Sequence, residues 1–365
     1  MKTDKHRFPY KWTLKDAVFT KDKGKVFSCF ACGGGSTMGY KLAGFDVIGC
    51  NEIDPKMMEA YTTNHNPKYS FLEGIQTFKL RDDLPEELYN LDILDGSPPC
   101  SSFSMSGNRG DDWGKEKKFR EGQAEQVLDT LFFDFIDLAK KLQPKVVVAE
   151  NVKGLLLGDA INYVKRIYKE FDEAGYYCQH WLLDASKMGV PQRRERVFFV
   201  CLRKDLAQPF LEQVDFFTQL PKLKLDFNES QIKFKEFYQI GIDDRPASQG
   251  KMFEYWNKRQ NGDKNFADTL MREENKHSCF NNYYLYQNET PNTFTSNGDV
   301  FYLFDEYRKP NKNESCSIGS YPQDYNFTGV QYHYLIGMSV PPIMTAQIAT
   351  EIYNQWILKI NNLNN

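Results

Sequence analysis

At 365 residues the chain is long enough for two domains, or for one large domain carrying an insertion, at roughly 150 residues per domain. With 41% hydrophobic and 26% charged residues, 28 Phe and 21 Tyr, it has ample material for a packed core, which excludes low-complexity and fully disordered classes. The formal net charge of -3 is not that of a protein coated with polyanion, so any nucleic-acid contact is expected to be local; the first 25 residues, with eight Lys or Arg against three Asp, form a basic arm on an otherwise acidic chain.

From Lys25 to about Leu202, short apolar runs alternate with stretches of helical period. Val26 to Phe30, Phe45 to Cys50, Leu91 to Leu94, Val146 to Ala149 and Val197 to Leu202 read as buried strands, and Pro55 to His65, Gln123 to Leu142 and Ile161 to Ala174 as helices. This rhythm predicts an α/β fold, a mostly parallel sheet covered by helices on both faces. From about Lys204 to Pro310, polar and aromatic residues mix without a clean period, which predicts a smaller, irregular domain. A helical face returns over Thr345 to Lys359, with Ala349, Ile352, Tyr353 and Trp356 three or four apart, and is expected to pack back on the first domain. The expected division is therefore 1–203, 204–310 and 311–365. No apolar run reaches the roughly 18 residues of a membrane span, and Met1 to Phe8 lack the apolar stretch of a secretory signal. The eight cysteines are scattered, which predicts reduced thiols and a cytoplasmic setting. Cys29 and Cys32 spell CxxC, but no second pair follows, so no metal site is expected.

Four constellations carry chemistry. Phe30-Ala31-Cys32-Gly33-Gly34-Gly35-Ser36 follows a strand and opens a helix-like stretch, where glycines bring free backbone N–H groups up to a ligand; Glu52, about 20 residues on, ends the next strand, where such folds hydrogen-bond a ribose hydroxyl. Asp95-Gly96-Ser97-Pro98-Pro99-Cys100 places a thiol just past a strand's carboxyl end, behind two prolines that fix its approach. A glycine-rich basic stretch follows, with Arg109, Lys115, Lys117, Lys118 and Arg120, and reads as a lid for a phosphate-bearing substrate. Glu150-Asn151-Val152 ends another strand, so Glu150 emerges beside Cys100 if the two strands are neighbours. Gln192-Arg193-Arg194-Glu195-Arg196 leads into the last strand, where Arg194 and Arg196 would share one face and reach one anion or carbonyl.

Taken in order, these segments resemble the DNA (cytosine-5) methyltransferases of bacterial and phage type, enzymes that move a methyl group from S-adenosyl-L-methionine to carbon 5 of cytosine. The likeness covers roughly Val26 to Leu202 and about Arg308 to Gln355. Phe30 to Gly35 match the cofactor loop, Pro99-Cys100 with Phe103 and Ser104 the nucleophile motif, Glu150-Asn151-Val152 the acid motif and Gln192 to Arg196 the arginine motif. Tyr321-Pro322-Gln323-Asp324-Tyr325 looks like the aromatic-Pro-x-Asp segment, and Gly337 to Pro342 like the closing motif. Three positions depart from the pattern: Cys32 stands where glycine is usual, Met338 where asparagine is usual, and Gly74 where an adenine-binding aspartate is usual, with Glu73 as its substitute.

The resemblance implies a Rossmann-like, doubly wound catalytic domain, with a smaller irregular target-recognition domain inserted before the C-terminal helix. It implies that S-adenosyl-L-methionine is held by Phe30, Ala31, Cys32, Gly33, Gly34, Gly35, Glu52, Ile53, Ile75, Ser97, Pro98, Leu131, Ser339 and Val340. The implied catalytic set is Cys100, Glu150, Arg194 and Arg196 with Pro99 and Asn151: Cys100 attacks carbon 6, Glu150 holds ring nitrogen 3, and Arg196 binds the ring carbonyl of a flipped cytosine, while Arg194 orients the site or contacts phosphate. Double-stranded DNA is the implied partner, bound by a monomer and read by 204–310; a restriction-modification arrangement would add a separately encoded restriction endonuclease. An RNA (tRNA) cytosine methyltransferase is the alternative, against which the long variable region speaks. A nicotinamide-dependent oxidoreductase would explain Gly33 to Gly35 and Glu52, but would leave Cys100, Glu150 and Arg196 without a shared role.

Overall fold

Hydrophobic runs that are apolar on both faces build the centre of a sheet, because only a strand covered on each side can bury every residue. Val26, Phe27, Ile93, Leu94, Val146, Val147 and Val148 are such residues and are all buried. A computed structural model describes residues 6–99, 130–215, 218–244, 247, 249–297 and 301–363, with the backbone of 116–117 and 126–127. Cys100 and most of the basic stretch after it lie outside the described residues; the helix expected from Gln123 begins at Leu131, and the backbone of Gln126–Val127 instead pairs antiparallel with Glu116–Lys117.

The chain folds into two compact units. The sheet unit comprises Val18–Asp184, Glu195–Asp226 and Thr345–Asn365; the second unit comprises Met1–Ala17, Ala185–Arg194 and Phe227–Met344.

The main sheet of this unit has seven strands: β1 (Lys25–Cys29), β2 (Asp46–Glu52), β3 (Tyr69–Leu72), β4 (Ile93–Gly96), β5 (Val146–Val152), β6 (Tyr176–Asp184) and β7 (Glu195–Arg203). Their order is β3-β2-β1-β4-β5-β7-β6. All neighbouring pairs from β3 to β5 are parallel, whereas β7 runs antiparallel to both β5 and β6. The chain thus winds outward twice from a switch point between β1 and β4, the place where open α/β sheets bind ligands. This is the doubly wound, mostly parallel α/β sheet expected from the sequence. Two strands escaped that reading. β3 is a four-residue edge strand, and β6, the opposite edge, interrupts its apolar residues with Gln179 and His180.

Helices α1 (Gly35–Leu42), α2 (Pro55–His65), α3 (Leu131–Leu142) and α4 (Ile161–Glu173) connect the strands. α2 starts where Asp54 accepts from Lys56 N and Met57 N, at 2.8 and 3.4 Å, with proline in its first turn. α3 and α4 bury Phe132, Phe135, Leu138, Ile167 and Phe171 in one apolar core with Phe27, Leu94, Val147 and Phe199 of the sheet. Gly96 lets α3 approach, because a Cβ there would lie 2.6 Å from the Phe135 ring. The C-terminal helical segment runs on from Ile352 through a π turn (Tyr353–Ile357) to Leu363, and Trp356 Nε1 anchors it by donating to Lys222 O at 2.7 Å.

In the second unit a parallel strand pair, Tyr283–Leu285 with Phe301–Leu303, packs with a helix over Phe266–Glu274 around Phe266, Tyr284 and Tyr302. Farther along, Arg308 and Glu314 form a buried two-pronged ion pair, at 2.7 and 2.9 Å. No described helix is long and apolar enough to cross a membrane.

Candidate functional site

Register decides which residues meet at the sheet's carboxyl edge. Asn51 and Gly96 both pair with Cys29, and Ala149 pairs with Gly96, so these four form one row across β2, β1, β4 and β5. Phe30, Glu52, Ser97 and Glu150 each follow that row by one residue. Four segments singled out by sequence thus reach one level of the sheet, where β1 and β4 have just ended while Glu52 closes β2 and β5 runs two residues further. The neighbouring of β4 and β5, on which the expected place of Glu150 depended, is present.

The glycine-rich loop turns sharply because three of its residues are left-handed: Phe30 (φ 52°), Cys32 (φ 49°) and Gly34 (φ 80°). Glycine is required at position 34 twice over, by that φ and because a Cβ would lie 2.3 Å from His65 Nε2. His65 itself stays neutral: burial pushes it down to about 3, helped by Lys41, and its Nε2 lies 3.4 Å from Gly33 O. Replacing Gly34 by alanine is therefore expected to lower stability by about 1–3 kcal/mol, measurable by urea unfolding.

Glu52 fixes the loop from the side. One carboxylate oxygen accepts from Cys32 N at 2.7 Å, and the other accepts from Ile53 N and Asp54 N at 2.8 and 2.9 Å. Burial raises its carboxyl above the usual range, and the three backbone donors pull against that rise. Asn51 donates to Glu73 O at 2.8 Å, ahead of Gly74 and the buried Ile75, while the Glu73 carboxylate accepts from Arg81 at 2.9 Å. Leu131 opens α3 and is buried in the sheet's core. Of the CxxC pair, Cys29 is buried in β1 and Cys32 turns its sulfur toward Met57, 3.7 Å away.

On the other side of the switch point, Asn151 Nδ2 donates to Pro98 O at 3.1 Å, holding the first of the two prolines, and Asn151 Oδ1 accepts from Val152 N at 2.8 Å. Pro99 is the last described residue before Cys100. Glu150 Oε1 and Arg196 Nε lie 2.9 Å apart, an ion pair with both side chains largely buried. Burial lowers the Arg196 guanidinium, and the Glu150 carboxylate opposes that shift. The pair forms because β7 is antiparallel to β5, placing Arg196 opposite Val152, two residues from Glu150 on the same strand.

Arg194 has a different place from the one its spacing suggests. β7 begins at Glu195, so Arg194 precedes the strand and falls in the second unit. There its buried guanidinium donates to Phe294 O at 2.9 Å and to Gly337 O at 3.2 Å. Gln192 does similar work, donating to Ile318 O at 2.8 Å and accepting from Phe294 N at 3.1 Å. Arg194→Ala is expected to destabilise the protein by about 2–4 kcal/mol in thermal unfolding, since two buried carbonyls would lose their donor. Ser339 and Val340 are buried in the same unit, and Ser339 Oγ accepts from Tyr321 OH at 2.6 Å. Gly337 admits no side chain: a Cβ would lie 2.2 Å from the Thr295 backbone.

Sequence reasoning did not foresee the strut from Asn151 to Pro98, nor Asn51 holding the Glu73 backbone. An amide side chain at a strand end, otherwise poorly suited to a sheet, was the available signal in both.

A model of the family described as C-5 cytosine-specific DNA methylase matches residues 24–354. Among curated proteins, the type II methyltransferase M.FnuDI of Fusobacterium nucleatum is 41% identical over 185 residues, 50% of this chain and 48% of that protein. The type II methyltransferase M.NgoPII of Neisseria gonorrhoeae is 38% identical over 188 residues, 51% of this chain and 50% of that protein. The chain thus spans about half the length of these curated relatives. Among solved structures, a putative DNA modification methyltransferase encoded within a prophage, from E. coli, superposes with a TM-score of 0.63 at 19% identity, covering 91% of this chain and 99% of that one. At that identity the likeness is one of fold.

Proposed function

Because the chain belongs to the C-5 cytosine-specific DNA methylase family, we propose that it methylates carbon 5 of a cytosine in double-stranded DNA, with S-adenosyl-L-methionine as methyl donor. The observation that carries this reading is the single level of the sheet at which Phe30, Glu52, Ser97 and Glu150 stand, with Arg196 already paired to Glu150.

The residues of the glycine-rich side suit the donor. A buried carboxylate braced by three backbone N–H groups is suited to sugar hydroxyls, and Phe30 adds a partly exposed aromatic face beside a turn of left-handed residues. Phe30 to Gly35, Glu52, Ile53 and Ile75 would hold it, with Ser97, Pro98 and Leu131 on the neighbouring strand and helix. When bound, S-adenosyl-L-methionine supplies an electrophilic methyl group on a sulfonium sulfur.

The remaining work falls to the chain's own side chains. Carbon 5 of cytosine is a weak nucleophile, and addition of the Cys100 thiolate to carbon 6 gives it enamine character; once carbon 5 is methylated, a base takes its proton and the carbon 6–sulfur bond breaks, restoring the ring and the thiolate. Glu150 holds ring nitrogen 3 and the amino group, and Arg196, tied to that carboxylate, meets the carbonyl as charge develops. Asn151 and Pro98 fix the direction from which Pro99 and Cys100 approach. Arg194 braces the backbone of the closing motif within its own unit. The target nucleotide must leave the stack, at a cost of a few kcal/mol that pocket contacts offset. We assign the reading of its sequence context to the stretch 204–310.

Incubating the purified chain with radiolabelled methyl donor and either duplex DNA or tRNA tests the proposal. Label is expected in DNA, on cytosine carbon 5; label in tRNA alone would overturn it.

A further inference from the structure

Asp95 takes no part in the chemistry assigned above. It lies in β4, one residue before Gly96, and is only 4% exposed. Three hydroxyls from two other elements converge on its carboxylate. Ser28 Oγ of β1 and Ser36 Oγ of α1 donate to Oδ2 at 2.8 and 2.7 Å, and Tyr40 OH of α1 donates to Oδ1 at 3.2 Å. Among the described residues, no lysine or arginine forms an ion pair with it. A carboxylate buried without a cation is costly, because hydrogen bonds replace only part of the hydration it gives up. Burial pushes its carboxyl up to about 6; the three hydroxyls oppose this rise, and Glu150 on β5 adds to it.

An uncharged residue could satisfy the same hydroxyls. Each can accept as well as donate, so an asparagine at position 95 would find partners for both its oxygen and its nitrogen. A buried charge carried at a cost in stability points to use. Its place says what the use is: Ser36 lies in the first turn of α1, directly after Gly35, and Asp95 lies on the strand from which Pro98 and Pro99 depart.

We propose that Asp95 is a positioning residue for the methyl-donor loop: its buried negative charge draws Ser28, Ser36 and Tyr40 onto the end of β4, fixing Gly33 to Gly35 relative to Pro98 and Pro99. The inference rests on the reading that this loop holds S-adenosyl-L-methionine. The titratable groups that face Asp95 are Cys29 on β1, Tyr40 on α1, Tyr61 on α2 and Glu150 on β5. The first three are raised well above their usual values, chiefly by burial, and stay neutral near pH 7.

A carboxyl raised from 3.8 to about 6 gives the fold stability that is fully present below pH 3.8 and is lost as the pH rises through about 6. Asp95→Asn is therefore expected to raise the melting temperature by roughly 3–6 °C at pH 7.5 and to leave it nearly unchanged at about pH 4. In calorimetry with the full chain, the same variant is expected to bind S-adenosyl-L-methionine roughly tenfold more weakly at pH 7.5. Ser36→Ala, which keeps the charge and removes one donor, is expected to lower both melting temperature and affinity.

Gained stability with lost affinity is the signature, since a merely structural bond moves both the same way. Two results overturn the inference: Asp95→Asn binding the donor as tightly as the unaltered chain, or Asp95→Asn losing stability and affinity in step. If the unaltered chain itself takes up no S-adenosyl-L-methionine, the donor assignment fails first and this inference falls with it; unchanged binding by Asp95→Asn leaves that assignment intact.

Discussion

Replacing Cys100 by alanine is expected to abolish methyl transfer while leaving the affinities for S-adenosyl-L-methionine and duplex DNA within about threefold of the unaltered chain. The reason is chemical. Without a covalent bond at carbon 6, carbon 5 keeps its aromatic character and has no electron pair to offer, so the loss should reach on the order of 10⁴-fold or more. Loop, acid and cation would still position the reactants, which is why binding should persist. A thiol with a pKa of about 8.5 is only a few per cent ionised at neutral pH, so the rate should also climb with alkaline pH until the thiolate is fully formed. Single-turnover transfer of labelled methyl, with excess enzyme, separates chemistry from product release. A residual rate within about tenfold of the starting value would remove Cys100 from the role.

The second large effect is expected at Glu150. Glu150→Gln should lower the single-turnover rate by about 10²–10³-fold, because an amide cannot exchange a proton with ring nitrogen 3. Its melting temperature should stay within a few degrees, since the amide oxygen can still accept from Arg196 Nε, which now lies 2.9 Å from the carboxylate. Glu150→Ala is the less informative change. It would leave the largely buried Arg196 guanidinium without its counter-charge, at a cost of about 2–4 kcal/mol, mixing instability with lost chemistry. Denaturant unfolding alongside the rate measurement distinguishes the two variants. An unchanged rate for Glu150→Gln would reject the acid's role.

Much of the sheet was legible because its central strands are apolar on both faces: β1, β4 and β5 stand out as Val, Ile, Leu and Phe runs whatever their neighbours. The edges were not. Tyr69–Leu72 is too short to display a period, and Tyr176–Asp184 carries the mixed pattern of a strand half open to solvent. The place of Glu150 beside Ser97 was legible on one condition, that two strands separated by some fifty residues pair, and β4 and β5 do. The arginines show the opposite case. Alternation put Arg194 and Arg196 on one face of a strand, but the strand starts at Glu195, and the chain passes from one unit to the other between 194 and 195. Nothing in a local pattern marks such a crossing. Asp95 was read only as the first residue of the motif that leads to Cys100; its three hydroxyl partners come from positions up to 67 residues away.

One strand running against the others changes what a rim can offer. In a wholly parallel sheet, every side chain at the ligand-facing rim belongs to the last residues of a strand, and the first residues lie at the far rim, roughly 20 Å off for a seven-residue strand such as β5. Because β7 is reversed, the guanidinium that meets Glu150 belongs to the second residue of a strand that is just starting. Its reach is thus governed by the peptide ahead of it. Removing a single residue between Gln192 and Glu195 would have to be absorbed there or would slide β7 by one place, and a slide of one place turns Arg196 to the opposite side of the sheet.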